Sequence, residues 1–161
     1  MAYDVFINIQ GIDGESTDDR HAGWIEVQTC DLRLRQKVST TAGSAGGASA
    51  ERADFSEFGF TKLLDKSSPQ LALACAAGTH IGTIVVDFCR AGGEKIRFMQ
   101  YTFTDCMISA FNTSGDGMFP EDDVSFVYGK VEWCYTCQNR AGGWSAGNVA
   151  GIWDREKNCR G

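Results

Sequence analysis

Apolar and polar side chains alternate along most of this chain with a period of two, the signature of strands with one buried and one wet face. Residues 4–9 are the first predicted strand. Residues 24–38 form a longer one, in which Leu32 and Leu34 alternate with Arg33, Arg35 and Lys37. Residues 53–64 place Phe58, Phe60 and Leu64 on one side. Residues 82–90 and 94–105 flank Gly92-Gly93, a hairpin signal, with Ile84, Val86 and Phe88 alternating against Val85, Asp87 and Cys89. Residues 106–114 continue as a further strand, and 124–137 are the last long one. The tail, 138–161, reads as loop apart from a short strand near 151–153.

The period changes once. Residues 68–77 read as a helix: Ser67 or Ser68 supplies an N-cap, and Pro69 sits in the first turn, where its missing N–H costs nothing. Gly78 stands where a left-handed C-terminal residue is wanted. With seven or eight strands, one helix and no βαβ alternation, the pattern predicts an antiparallel barrel or sandwich. Residues 39–50, STTAGSAGGASA, interrupt the pattern with no large side chain. Only about 40 residues precede them, marginal for an independent core, so they read as a long loop inside one domain spanning 1–161.

Charge narrows the function classes. The chain has 161 residues, with 21 acidic and 15 basic side chains and a net charge of −6. Nucleic-acid binding needs clustered Lys and Arg, so no nucleic-acid partner is expected. No apolar run reaches the length of a membrane span, and residues 1–6 lack a signal peptide's basic start and apolar run. The sequence therefore predicts a protein that stays in the cytosol or leaves it by a route needing no cleaved signal. The seven cysteines show no framework spacing and read as reduced thiols.

Candidate chemistry is sparse. Gly143-Trp144-Ser145-Ala146-Gly147 matches G-x-S-x-G, but the nucleophile elbow requires a following helix and a later histidine, and His21 and His80 both precede it. Ser16, Asp18 and His21 carry the side chains of a triad, yet lie within six positions of one polar segment, and are expected to form a solvated, locally bonded turn. Cys134 and Cys137 form a lone C-x-x-C at the end of a strand, without the second ligand pair a zinc site needs. Glu121, Asp122 and Asp123, like Asp13, Glu15, Asp18 and Asp19, read as turn and surface residues. No phosphate-binding or dinucleotide fingerprint is present, so no cofactor is expected.

Several stretches in order, over nearly the whole chain, resemble the haemolysin-coregulated protein (Hcp) family, the tube proteins of type VI secretion systems. They are residues 1–7, the run Gly11-Ile12-Asp13-Gly14-Glu15-Ser16-Thr17-Asp18-Asp19-Arg20-His21, Trp24-Ile25-Glu26-Val27, residues 58–62 and 65–76, Arg90-Ala91-Gly92-Gly93-Glu94, Val131-Glu132-Trp133 and Trp153-Asp154. The resemblance departs where Cys134 and Cys137 replace the family's glutamate and proline, and where Ile152 interrupts a glycine-tryptophan-aspartate.

The resemblance implies a mainly β fold: a compact barrel of two antiparallel β-sheets with one short flanking α-helix and an extended loop. It implies a non-enzymatic subunit of homo-hexameric rings that stack into a tube inside a contractile sheath, on a spike and baseplate. That tube would carry small effector proteins in its lumen and be expelled with them, so the protein would be cytoplasmic until firing and then secreted. The small-residue loop, with Ser39, Thr40, Thr41, Gly43, Ser44, Gly46, Gly47 and Ser49, is the expected ring-stacking element, because small side chains permit close backbone approach. Two other readings are an effector hydrolase acting through Ser145 and a small-ligand barrel carrier with a closed apolar cavity.

Overall fold

The structure is a computed structural model that describes residues 2–39, 49–138 and 145–161. In chain order its elements are β1 (Tyr3–Ile9), β2 (Ile25–Val27), β3 (Thr29–Asp31), β4 (Leu34–Arg35), β5 (Val38–Ser39), β6 (Ser49–Ala50), β7 (Asp54–Phe55), β8 (Phe58–Leu63), helix α1 (Ser67–Ala77), β9 (His80–Arg90), β10 (Arg97–Ser114), β11 (Glu121–Gln138), β12 (Ser145–Asp154) and β13 (Cys159–Arg160). The mainly β, antiparallel class expected from the sequence is the class observed.

A nine-stranded sheet runs β13-β12-β11-β10-β9-β1-β2. Strand β11 is long enough to serve two neighbours: Lys130 to Gln138 pair with β12, and Glu121 to Phe126 pair with β8. Strand β8 in turn pairs with β3. This branching folds the sheet over itself, so that Phe58 of β8 packs on Phe103 of β10 and Phe126 of β11, with ring centroids 5.1 and 5.2 Å apart. The ladder does not close into a continuous barrel. Its seam is the bend between β2, which pairs with β1, and β3, where the Gln28 N–H crosses to the Thr61 carbonyl at 2.8 Å.

That bend is why the predicted strand 24–38 is four short pieces. Each piece has a different partner, and Leu34 lies half-exposed on the two-stranded ribbon β4–β7, not on a buried face. Conversely, the predicted strands 94–105 and 106–114 are one strand, β10. They meet at Asp105, which has a φ of 56°, and the β10–β11 register shifts farther along, between Ile108 and Ala110. The tail read as loop contains all of β12, because pairing with β11 specifies a strand that its glycines and alanines hide from pattern reading.

Helix α1 buries Leu71 and Ala74 and turns Leu73 outward. Neither Ser67 nor Ser68 caps it; both are inside the helix and buried. The Asp65 carboxylate accepts the Ser67 N–H at 2.9 Å instead. Gly78 does end the helix in the left-handed conformation, at φ 61° and ψ 40°.

Candidate assembly surfaces

Two polar clusters are buried beside the aromatic core. The first occupies the β1–β2 connection. Gly14 approaches the chain at Trp24 so closely that a Cβ would collide with the Trp24 carbonyl, and its N–H donates to Gly23 O at 2.8 Å. The Ser16 N–H reaches Trp24 O at 3.0 Å, and Gly23 N–H returns to Ser16 O at 2.8 Å. Inside this loop His21 is only 4 % exposed. Its Nδ1 lies 2.8 Å from Asp18 Oδ1 and its Nε2 3.0 Å from Asp87 Oδ2 on β9. Carboxylates only accept, so both bonds form together when the ring carries two N–H groups. The imidazole stacks on Phe6 at 4.4 Å and meets Trp24 edge-on at 4.8 Å.

The expected solvated turn is thus a buried clamp; the local bonding was anticipated, the burial was not. No triad forms, because both ring nitrogens face carboxylates, while the Ser16 hydroxyl oxygen accepts the Asp18 N–H at 3.2 Å. Lys95 reaches over the clamp to Asp18 at 3.1 Å and Asp4 at 3.3 Å. Burial works against the charge on Asp18, but bonds from His21, Lys95 and the Arg20 N–H outweigh it and hold the carboxyl at a pKa of about 2. Gln100 and Arg97 complete the surroundings of Asp87, at 2.8 and 3.8 Å.

The second cluster lies where β8, β11 and α1 meet. Lys62 and Asp122 are cross-strand partners, both completely buried, with Nζ 2.9 Å from Oδ2. Lys62 Nζ also donates to Asp65 Oδ1 and Ser68 Oγ at 2.9 Å each and to Leu63 O at 3.2 Å. Asp122 further accepts from Thr113 Oγ1 at 2.8 Å and from the Ser68 hydroxyl. Asp122 was expected on the surface, and Leu64 on the same side as Phe58 and Phe60. The structure reverses both: Lys62 continues the inward row of Phe58 and Phe60, and Leu64 is 46 % exposed. Burial opposes ionisation of Asp122, but Ser68, Lys62 and Thr113 together hold its carboxyl below the usual range.

The predicted stacking loop leaves the body on the ribbon β5–β6, where Ser39 pairs with Ser49. Thr40, Thr41, Gly43, Ser44, Gly46 and Gly47 lie outside the described residues. Ser145 opens β12, so strand and not helix follows it. Burial pushes the thiols of Cys30 and Cys89 up to about 11 and that of Cys106 to about 12, helped by neighbouring aspartates, which leaves them poor nucleophiles. Cys134 and Cys137 lie half-buried along β11, and Cys159 is exposed on β13. No helix among the described residues is long and apolar enough to cross a membrane. The interior, where a ligand carrier would need a cavity, is filled by Phe58, Phe60, Phe103 and Phe126.

A family model described as "Type VI secretion system effector, Hcp" matches residues 6–135. This chain belongs to the Hcp family. It is 31% identical to Protein hcp1 of Pseudomonas aeruginosa, with 99% of each chain covered. Among solved structures, one described as a type six secretion system protein superposes with a TM-score of 0.93 at 30% identity, covering 99% of this chain and all of that one. Hcp1 from Salmonella typhimurium gives 0.82 at 30% identity, covering 99% of both chains. The Gly11–His21 run that carried the Hcp resemblance is the clamp just described, so in this member of the family the motif is a structural lock.

Proposed function

We propose that this Hcp-family chain acts as one domain, the structural subunit of a type VI secretion tube, with six copies closing head to tail into a ring and rings stacking within a sheath on a spike and baseplate. The observation that carries the reading is similarity along 99% of both chains to a structure described as a type six secretion system protein, at a TM-score of 0.93. The protein performs no catalytic step. It waits in the cytoplasm, is expelled with the tube, and carries small effectors in the lumen.

A ring of heterologous contacts needs two different surfaces on each copy. The sheet offers two dissimilar edges, β2 and β13, as lateral candidates. The 39–50 loop is the candidate for stacking.

Light scattering on purified protein, with negative-stain images of the same peak, tests the ring: a six-subunit particle with an open centre is expected, and a monomer at micromolar concentration would turn attention to an effector role. Deleting residues 40–48 is expected to leave rings intact and to weaken tube formation. Tubes assembling equally well without the segment would remove it from the stacking contact.

A further inference from the structure

The hairpin joining β10 to β11 ends in a tip whose apolar side chains are uncovered among the described residues. Met118 is 77 % and Phe119 68 % exposed. Residues 114–121 hold Asp116 and Glu121, both exposed, and no Lys or Arg.

At the other end of β11 lies an apolar groove of about 690 Å³ between ribbon β4–β7 and strands β11 and β12, lined by Leu34, Phe55, Trp133, Ile152 and Trp153 and edged by Arg160. Phe55 and Trp153 stack along it, 6.4 Å apart and 20° from parallel. The Arg155 guanidinium sits over the Phe55 ring at 5.5 Å. Arg160 is the charged side chain in the groove's lining and Arg155 lies over its Phe55 ring, so the rim opposes the tip in charge.

Tip and groove are 12 residues apart on one strand, Glu121 to Trp133, or roughly 40 Å of extended chain. The tip of one copy therefore does not reach its own groove. Two complementary surfaces at opposite ends of one strand make a heterologous contact, which runs on from copy to copy unless its rotation closes a ring. The groove opens beside the ribbons from which the 39–50 loop departs.

Resting on the ring reading above, we propose that the Met118–Phe119 tip of each copy seats in the Phe55–Trp133–Trp153 groove of a copy in the next ring. The contact buries an aromatic and a thioether side chain against aromatic faces, with Asp116 and Glu121 meeting the arginines of the rim. The tube grows axially through it, in one polarity.

Cys159, exposed on β13 next to Arg160, makes the contact trappable. In Met118→Cys, diamide takes two electrons and two protons from the new thiol and Cys159 of the neighbour, is reduced to the hydrazine, and leaves one S–S bond. A reducible ladder running beyond six subunits is expected, absent from wild type and abolished by adding Cys159→Ser. Phe119→Asp, a change on an exposed hairpin, is expected to keep rings while lowering sedimentable tube by at least about tenfold.

A ladder that stops at six would place the contact inside the ring and overturn the axial assignment. Rings with no ladder in Met118→Cys, or undiminished tubes in Phe119→Asp, would overturn this contact and leave the ring reading standing. A monomeric wild type, together with no ladder in Met118→Cys, would overturn both.

Discussion

Lys62→Met is expected to destabilise the fold by about 3–5 kcal/mol, a fall in melting temperature of about 10 °C for a chain of this length. The size of the effect comes from what is left behind. Methionine fills the space of the lysine stem, so little packing is lost. The Asp122 carboxylate, however, stays completely buried with only the hydroxyls of Ser68 and Thr113 to stabilise its charge. Ser68 and Asp65 also lose their shared cation, which loosens the start of α1 where Asp65 holds the first N–H.

Acidification relieves part of the penalty by protonating Asp122, so variant and wild type should converge as pH falls. The double variant Lys62→Met with Asp122→Leu replaces the pair by apolar neighbours and should recover most of the loss. Urea unfolding at one fixed protein concentration reads all three, since assembly makes stability concentration-dependent. A loss below about 1 kcal/mol in Lys62→Met, or no recovery in the double variant, would show that the pair does not hold this junction.

The same pair shows where pattern reading stops. Period two made β8 and β11 legible, because Phe58 and Phe60 on one and Val124, Phe126 and Tyr128 on the other keep a strict inward row. The rule then assigns charged residues outward. Lys62 and Asp122 keep the inward phase of their strands, and only a cross-strand register placing them opposite each other reveals that the charges cancel inside. The phase itself was readable from Phe58-x-Phe60-x-Lys62 and Asp122-x-Val124-x-Phe126; hydropathy overruled it.

Strand β9 illustrates a second limit. Ile84 and Val86 face the core, while Asp87 and Cys89 are buried on the opposite side beneath the β1–β2 loop. A strand covered on both faces buries residues that alternation assigns to water, and the covering element is some sixty residues away in sequence. Strand β12 fails for a different reason: its partner specifies it, not its composition. The family resemblance was legible because the Gly14, Ser16, Asp18 and His21 positions answer to a geometry that few other residues satisfy. That geometry locks a loop, because both imidazole nitrogens face carboxylates, 3 and 66 residues away in sequence.

His21→Phe tests that lock. Phenylalanine keeps the stack on Phe6 and the edge contact with Trp24 but donates nothing to Asp18 or Asp87. A loss of about 3 kcal/mol is expected, at the low end for a broken buried pair because Lys95 still serves Asp18 and Gln100 still serves Asp87. The pH dependence carries the sharper signature. Asp18 is held at a pKa of about 2, below its value of 3.8 when unperturbed. Between those values the unfolded chain binds more protons than the native one, so this group stabilises the fold fully above pH 4 and ceases to as pH falls towards 2. Asp122, also held low, adds to the same acid slope.

Removing His21 takes away a bond that keeps Asp18 ionised, so the stability of His21→Phe should fall less steeply across that window than that of wild type. Asp18→Asn should flatten the curve in the same range, leaving the part due to Asp122. Parallel curves for wild type and His21→Phe would mean that Lys95 alone holds Asp18 and that the imidazole contributes packing only. Hydrogen exchange supplies the local readout: the amides of Ser16 and Gly23, bonded across the loop, should lose protection in His21→Phe before the core strands β9 and β10 do. The loop would then open over a sheet that remains folded, which is what distinguishes a clamp on the surface beside β2 from a component of the core.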